Sequence, residues 1–333
     1  MAGFFGFFDY SKPGPGVDVN APPKGPVRNY FALLFRKFWT YVGLNIFYVL
    51  ANIPAIILAF FLSDHIFRLV FPNTGVEGLE RMVQSLAQNG LGRDSALQFI
   101  SMNRLFIVMM IMAVLIGSAL VTVGPFQAGF SYIFRNYARE EHAFIFSDFR
   151  EHSAKNWKQG LIHSLLTLLL VALFPIAIYV YRNLFGGQMW GALLNAVIVL
   201  SAVLVYMAQF FIYQMMLTFD LPLRHIYRNA LLLVMAKLPF CLLLSLLSLL
   251  ILVGLPLLFY LFLPAYFLPF TLFYEFFFAF SWNALLVNDF ANRQFQRYML
   301  PKTEAERSDG AGERGPDAGD PNGDGDTNSD EKI

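Results

Sequence analysis

The sequence predicts an all-α polytopic membrane helix bundle of six transmembrane helices with both termini cytoplasmic. Three observations predict it. The chain has 333 residues, 57% of them hydrophobic and 14% charged, whereas a soluble domain carries about 25% charged residues. Thirty-seven phenylalanines and a mean hydropathy of +0.53 point to lipid as the solvent. Uncharged runs recur at lengths of about 20 residues or more, enough for a helix to cross the hydrocarbon core.

Those runs cover 38–63, 105–134, 159–181, 183–219 and 238–274, the last continuing past one acid to 288. The final run is too long for one crossing. Pro264 and Pro269 divide it, because proline breaks the intrahelical ladder. This gives six spans, near 38–63, 105–134, 160–181, 190–219, 239–260 and 266–287. Three regions result: a cytoplasmic aromatic and Pro/Gly-rich segment over 1–37, a membrane domain over 38–300, and an acidic tail over 301–333.

Lys and Arg fall unevenly about these spans. Segments 1–37, 135–158, 220–237 and 288 onward hold nineteen; 64–104, 182–189 and 261–265 hold five. The richer side is cytoplasmic by the positive-inside bias. Within 64–104, Leu79, Met82, Val83 and Leu86 recur at i, i+3, i+4 and i+7, which predicts a short amphipathic helix outside the membrane.

The start, "FFGFFDYSKPGPGV", predicts aromatic anchoring at the membrane surface. The tail carries ten acids and four bases and no apolar face, and is expected to be disordered. Its "DPNGDGDTNSDE" fits a calcium-loop spacing, but position 8 is Thr327, not apolar, so a solvated acidic tail is the better account. Cytoplasmic flanks repeat faintly: "RKFWT", "KNWKQ" and "AKLPF" before spans, "IFRN" and "IYRN" after them.

One stretch carries the sharpest question. "FLPFTLFYEFFFAFSWNALLV", 267–287, holds a single charge, Glu275, the only one between 238 and 288. Steps of four place Thr271, Glu275, Ala279 and Asn283 on one polar or small face. The acid should therefore face other helices or a hydrated cavity. Candidate partners are Asn45 and Asn52 in the first span, Gln209 in the fourth and His163 in the third. Two readings stand: a polar pathway with Glu275 as proton or cation carrier, and hydrogen bonds that fix helix register.

In the loop "RNYAREEHAFIFSDFREHSAKNWKQ", Ser147 is placed to cap a short helix. Asp148, Glu151 and His152 share a face of it, but no second histidine or cysteine completes a metal set. A helix lying at the interface is expected. The one cysteine, Cys241, excludes an intrachain disulfide. No phosphate-binding glycine loop, zinc-protease helix or nucleophile elbow occurs, so neither an enzyme nor a cofactor is predicted, and the basic excess is a topology signal, not a nucleic-acid one.

At "GPFQAGFSYIFRNYAREEHAFIFSDFREH", 124–152, with "FFGFFDYSKPGPGV", 4–17, the chain resembles the YesL-like family of bacterial multi-pass membrane proteins. The resemblance covers most of 1–300 and excludes the tail. It implies a plasma-membrane protein without assigned biochemical activity, found mainly in Gram-positive bacteria and sometimes encoded among sugar-uptake genes. An accessory to carbohydrate transport is the implied role, with the bilayer and a membrane transport complex as partners. The pattern-bearing residues are Gly124, Pro125, Arg135 and Asn136, none with a catalytic role to carry over. The 64–104 loop is longer than in typical members.

Overall fold

The computed structural model describes residues 25–71, 74, 76–186, 188–264 and 266–298. The aromatic start, the acidic tail and its calcium-like loop lie outside the described residues. By contacts the chain divides into Met1–Asn292 and Arg293–Ile333. Of the second unit, 293–298 is described and is helical.

The described residues are helical and contain no strand. In order they form α1 (Pro26–Arg36), α2 (Phe38–Ala51), α3 (Ile53–Val70), α4 (Val76–Gln88), α5 (Arg93–Gly117), α6 (Gly124–Ala138) and α7 (Ile145–Lys155). Then come α8 (Trp157–Leu184), α9 (Met189–Thr218), α10 (Leu223–Ala236) and α11 (Leu238–Leu249). A π-turn at Leu250–Gly254 leads into α12 (Leu255–Phe262). After α13 (Phe267–Tyr274) a second π-turn, Glu275–Ala279, leads into α14 (Phe280–Tyr298).

Among the described residues six helices are long and apolar enough to cross a membrane: Ile53–Val70, Arg93–Gly117, Trp157–Leu184, Met189–Thr218, Leu238–Phe262 and Phe267–Tyr298. Only 11% of the most apolar window of α8 and 17% of that of α9 is buried inside the fold. Water would not tolerate apolar faces of that extent; lipid does. The chain has the character of a multi-pass membrane protein.

Two expected spans are divided. The run 38–63 is not one helix. It breaks at Asn52, because Pro54 has no N–H for the ladder and sits in the first turn of α3. The run 105–134 is also two helices. α5 starts earlier, at Arg93, and stops at Gly117; Pro125 lies in the first turn of α6. Pro256 likewise follows a π-turn, where the missing N–H does least harm. Pro175 lies inside α8, which continues through it. α12 ends just before Leu263 and Pro264, and Pro269 lies in the first turn of α13.

Three short amphipathic helices feed apolar helices through a single broken residue with nearly the same backbone. Lys37 (φ −119, ψ 32) joins α1 to α2, Asn156 (φ −104, ψ 15) joins α7 to α8, and Lys237 (φ −125, ψ 29) joins α10 to α11. These are the "RKFWT", "KNWKQ" and "AKLPF" positions. α1 and α10 also share a spacing: Arg28-Asn29 precedes Lys37 as Arg228-Asn229 precedes Lys237.

α7 begins two residues before the expected cap. Its N-cap is Phe144, not Ser147, and Asp148 Oδ2 accepts the Phe144 N–H at 2.8 Å, a bond back from the first turn like the return half of a capping box. α4 covers the predicted amphipathic stretch, with Val83 buried. Gly90, at φ 94, makes the turn from α4 to α5, and Arg93 pairs with Glu80 across it at 2.9 Å. Arg68 and Arg104 both reach Asp64, tying α3 to α5. Elsewhere in the fold, Tyr30 of α1 donates to the carbonyl of Trp282, Arg36 pairs with Glu140, and Arg139 donates to Asn292. α1, the end of α6 and α14 up to Asn292 therefore meet at one end of the helices.

Candidate functional site

The site is built where two broken helices meet. Between α5 and α6 the chain turns through 118–123, with Ala119 in the left-handed region at φ 58. A non-glycine residue there is strained and persists only where its surroundings hold it. Two side chains hold the turn from other helices. Tyr48 donates to the carbonyl of Ile116 at 2.9 Å, and Asn283 Nδ2 donates to that of Gly117 at 2.8 Å. The Gly117 carbonyl lies at the open end of α5, whereas that of Ile116 also accepts the Ala119 N–H at 3.1 Å. Asn52 Oδ1 accepts the Val123 N–H at 3.0 Å, while its Nδ2 donates to the Tyr48 carbonyl at 3.0 Å. Asn52 thus sits at one break and caps the start of α6 across the other.

A cavity of about 30 Å³ lies against this turn, room for about two waters. Gly117, Ser118 and Ala119 form one wall; α6, α9 and α14 supply Gln127, Ser131, Gln209, Tyr213, Gln214, Asn283 and Asn288. Among the described residues no charged side chain lines it. The oxygens Gln127 Oε1, Gln214 Oε1, Asn283 Oδ1 and Asn288 Oδ1 are buried and have no protein partner. Their orientation is fixed by chemistry. Gln214 Nε2 donates to the Ser131 carbonyl at 3.1 Å, Asn283 Nδ2 to Gly117, and Asn288 Nδ2 to Ala284 at 2.6 Å. A carbonyl can only accept, so each nitrogen must face the backbone and each oxygen must face away from it.

His163 stands behind this wall. Its Nε2 is 2.9 Å from Gln209 Oε1 and its Nδ1 is 2.6 Å from the Tyr227 hydroxyl. Gln209 Oε1 accepts only, so Nε2 carries the proton, and Nδ1 of the neutral ring accepts from Tyr227. Burial pushes the Tyr227 hydroxyl up to about 12, which keeps it a donor. His163 therefore links α8 to α9 and α10, and it turns the unpartnered Gln209 Nε2 outward from the pair.

Glu275 belongs to a different place. It opens the second π-turn and is 5% exposed, with Oε1 unpartnered; Thr271 Oγ1, one turn before, is also buried and unpartnered. A π-turn leaves backbone groups out of the regular ladder, and Asn45 supplies them. Its Nδ2 donates to the carbonyls of Glu275 and Phe276 at 2.8 and 2.7 Å, and its Oδ1 accepts the Ser281 N–H at 2.7 Å. Of the seven residues that sequence placed in one polar network, Gln209 and Asn283 line the cavity and His163 bonds to Gln209. Asn52 caps α6, Asn45 clamps the π-turn, and Glu275 and Thr271 do not line the cavity. The stripe Thr271, Glu275, Ala279, Asn283 is buried throughout.

The motif around Gly124 holds α6 in position. α6 is buried at every residue except Pro125, Phe126 and Tyr132, and packs on α7, α8 and α9. Gly124 crosses Gly160 of α8 so closely that a Cβ on Gly160 would stand 2.9 Å from the Gly124 carbonyl carbon. Arg135 donates through Nη1 to the Leu217 carbonyl at 3.2 Å and to Thr218 Oγ1 at 3.1 Å. Its charge lies at the negative end of α9. Asn136 is buried, and its carbonyl accepts the Glu141 N–H at 2.8 Å. Among the described residues no group of three or more His, Cys, Asp or Glu could hold a metal ion. His152 stacks on Tyr132 with ring centroids 3.4 Å apart, so both it and Asp148 have structural work.

Sequence reasoning did not single out Gln127, Ser131 or Asn288. The signal was present: Gln127, Ser131 and Arg135 step by four along "QAGFSYIFR", a polar stripe on a helix otherwise apolar.

Residues 99–178 match the family described as "Protein of unknown function, DUF624". That stretch holds most of α5, all of α6 and α7, and most of α8. No curated protein and no solved structure matches the chain. Similarity thus centres on the broken helix and the Gly124–Gly160 crossing.

Proposed function

We propose that this chain is a non-enzymatic plasma-membrane protein, similar to the YesL-like proteins, that assists a carbohydrate transport complex. The observation that carries the reading is the size of the polar cavity. At about 30 Å³ it has no room for a sugar, which a ligand site of several hundred Å³ would need. The helices that would have to part around a substrate are instead pinned by Asn52, Tyr48, Asn283 and the Gly124–Gly160 crossing. The far halves of α8 and α9 support the partner side of the reading. From 168 to 206 Gly191 is the only buried residue among those described, so this hairpin meets lipid or another membrane protein.

The positive-inside bias supports a cytoplasmic side that holds α1, α7, α10 and both ends of the chain. The test is affinity purification from the producing membrane in mild detergent, followed by mass spectrometry. A reproducible membrane transport subunit is the expected result; recovery of this chain alone, across replicates, contradicts it.

A second reading is a proton-coupled permease. Glu275 favours it, since a buried carboxyl oxygen without a partner is expensive in a membrane. Proton-driven uptake into proteoliposomes that disappears in Glu275→Gln supports the permease and sinks the accessory reading.

A further inference from the structure

We propose that the cavity at the α5 break binds a single monovalent alkali-metal cation. The proposal stands apart from the accessory role and rests on how the wall is made. Four amide oxygens, from Gln127, Gln214, Asn283 and Asn288, are buried without a donor. For three of them the nitrogen is committed to a backbone carbonyl, so the oxygen cannot be exchanged for an N–H by flipping the amide. An unpaired acceptor in a low-dielectric interior is costly, and four around one small space form a strong acceptor field.

Helix geometry adds to that field. The last residue and the C-cap of α5, Gly117 and Ser118, are in the wall, and a helix C-terminus carries about half a negative charge. In secondary transporters, interrupted helices hold Na⁺ with their C-terminal ends and unwound backbone carbonyls; here the end of α5 is joined by side-chain amide oxygens. The strained backbone at Ala119 sits at this point and nowhere else along α5 or α6.

The chemistry selects the ligand class. A divalent cation takes carboxylate ligands, and none among the described residues lines the cavity. Neutral oxygens select for monovalent ions, as carbonyl rings do in channels. An anion would meet four acceptors. The unpartnered donors in the wall, Gln209 Nε2 and the Tyr213 hydroxyl, are suited to waters that complete the ion's shell.

The experiment uses the purified full chain in mild detergent. Its thermal midpoint is measured in NaCl, KCl and LiCl against choline chloride at equal ionic strength. One alkali cation is expected to raise the midpoint saturably, by about 4 °C at a hundredfold excess over its Kd. Gln127→Met removes one oxygen at similar volume; its nitrogen has only a long 3.5 Å contact to Ser131. This variant is expected to lose the cation-dependent rise while its midpoint in choline stays within about 1 °C. Asn288→Leu gives a second reading should Gln127→Met fold poorly, because Asn288 donates only within its own helix. Equal midpoints in all four salts would show that the oxygens hold water alone and would overturn the proposal. So would a rise that persists undiminished in both variants.

Discussion

Asn45→Leu is expected to destabilise the protein more than any other single polar substitution in the core. Leucine keeps the branched side-chain skeleton of asparagine, so it removes the hydrogen bonds with little change of shape. The loss is three hydrogen bonds to the backbone at the π-turn: two carbonyls and one N–H, all at 2.7–2.8 Å. Each orphaned buried group costs about 1–3 kcal/mol. Hydrogen bonds between membrane helices measure smaller, near 0.6 kcal/mol on average, but those averages come from groups that find new partners. Here the groups belong to a π-turn that cannot re-form its ladder without shifting α14 by a residue. We expect a loss on the order of 4 kcal/mol, seen as a collapse of the monodisperse peak in size-exclusion after mild heating. Ser245→Ala is the comparison. Ser245 Oγ donates to the carbonyl of Cys241 four residues back in its own helix, and its removal should leave the profile unchanged.

The second large effect is steric. Gly124→Val would put a Cβ on top of the Gly160 carbonyl, a backbone atom that cannot rotate away. α6 and α8 would have to separate, and α6 is the helix on which α7, α8 and α9 pack. Overpacking into side chains costs about 1–3 kcal/mol; overpacking into backbone at a small-residue crossing should exceed that. Loss of folded protein in the membrane fraction is the expected outcome. Gly43→Ala controls for glycine chemistry alone. Nothing lies within 4 Å of a Cβ there, and a helix interior favours alanine by about 1 kcal/mol, so this variant should be unchanged or slightly more stable.

Composition made the helices legible and not their breaks. Six stretches of apolar residues register in any hydropathy window, and six helices of the right length are present among the described residues. The breaks at Asn52 and after Gly117 were hidden because Pro54 and Pro125 lie within those same apolar stretches, where a window averages over them. The candidate site was half legible for a related reason. The step-of-four argument turned Glu275 and Asn283 away from lipid, and both are buried. It also grouped them, whereas Asn283 lines the cavity and Glu275 does not. The π-turn at Glu275–Ala279 inserts an extra residue per turn and slips the register. Asn283 reaches Gly117, whereas Glu275 stays behind beside the clamp from Asn45. Polar stripes on two other helices, Gln127 with Ser131 and Gln209 with Tyr213, could be read from spacing. That they share one cavity depended on where α5 stops.

The central claim is that hydrocarbon solvates the outside of these helices and that alternate crossings put α4 opposite α7. Single-cysteine labelling in intact cells tests it most directly, on a chain carrying Cys241→Ala, with a membrane-impermeant maleimide. Ser85→Cys in α4 should label from outside, and Lys155→Cys in α7 should label only after the membrane is opened; both positions are exposed. Equal labelling of the two in intact cells, or the reverse pattern, would contradict the account.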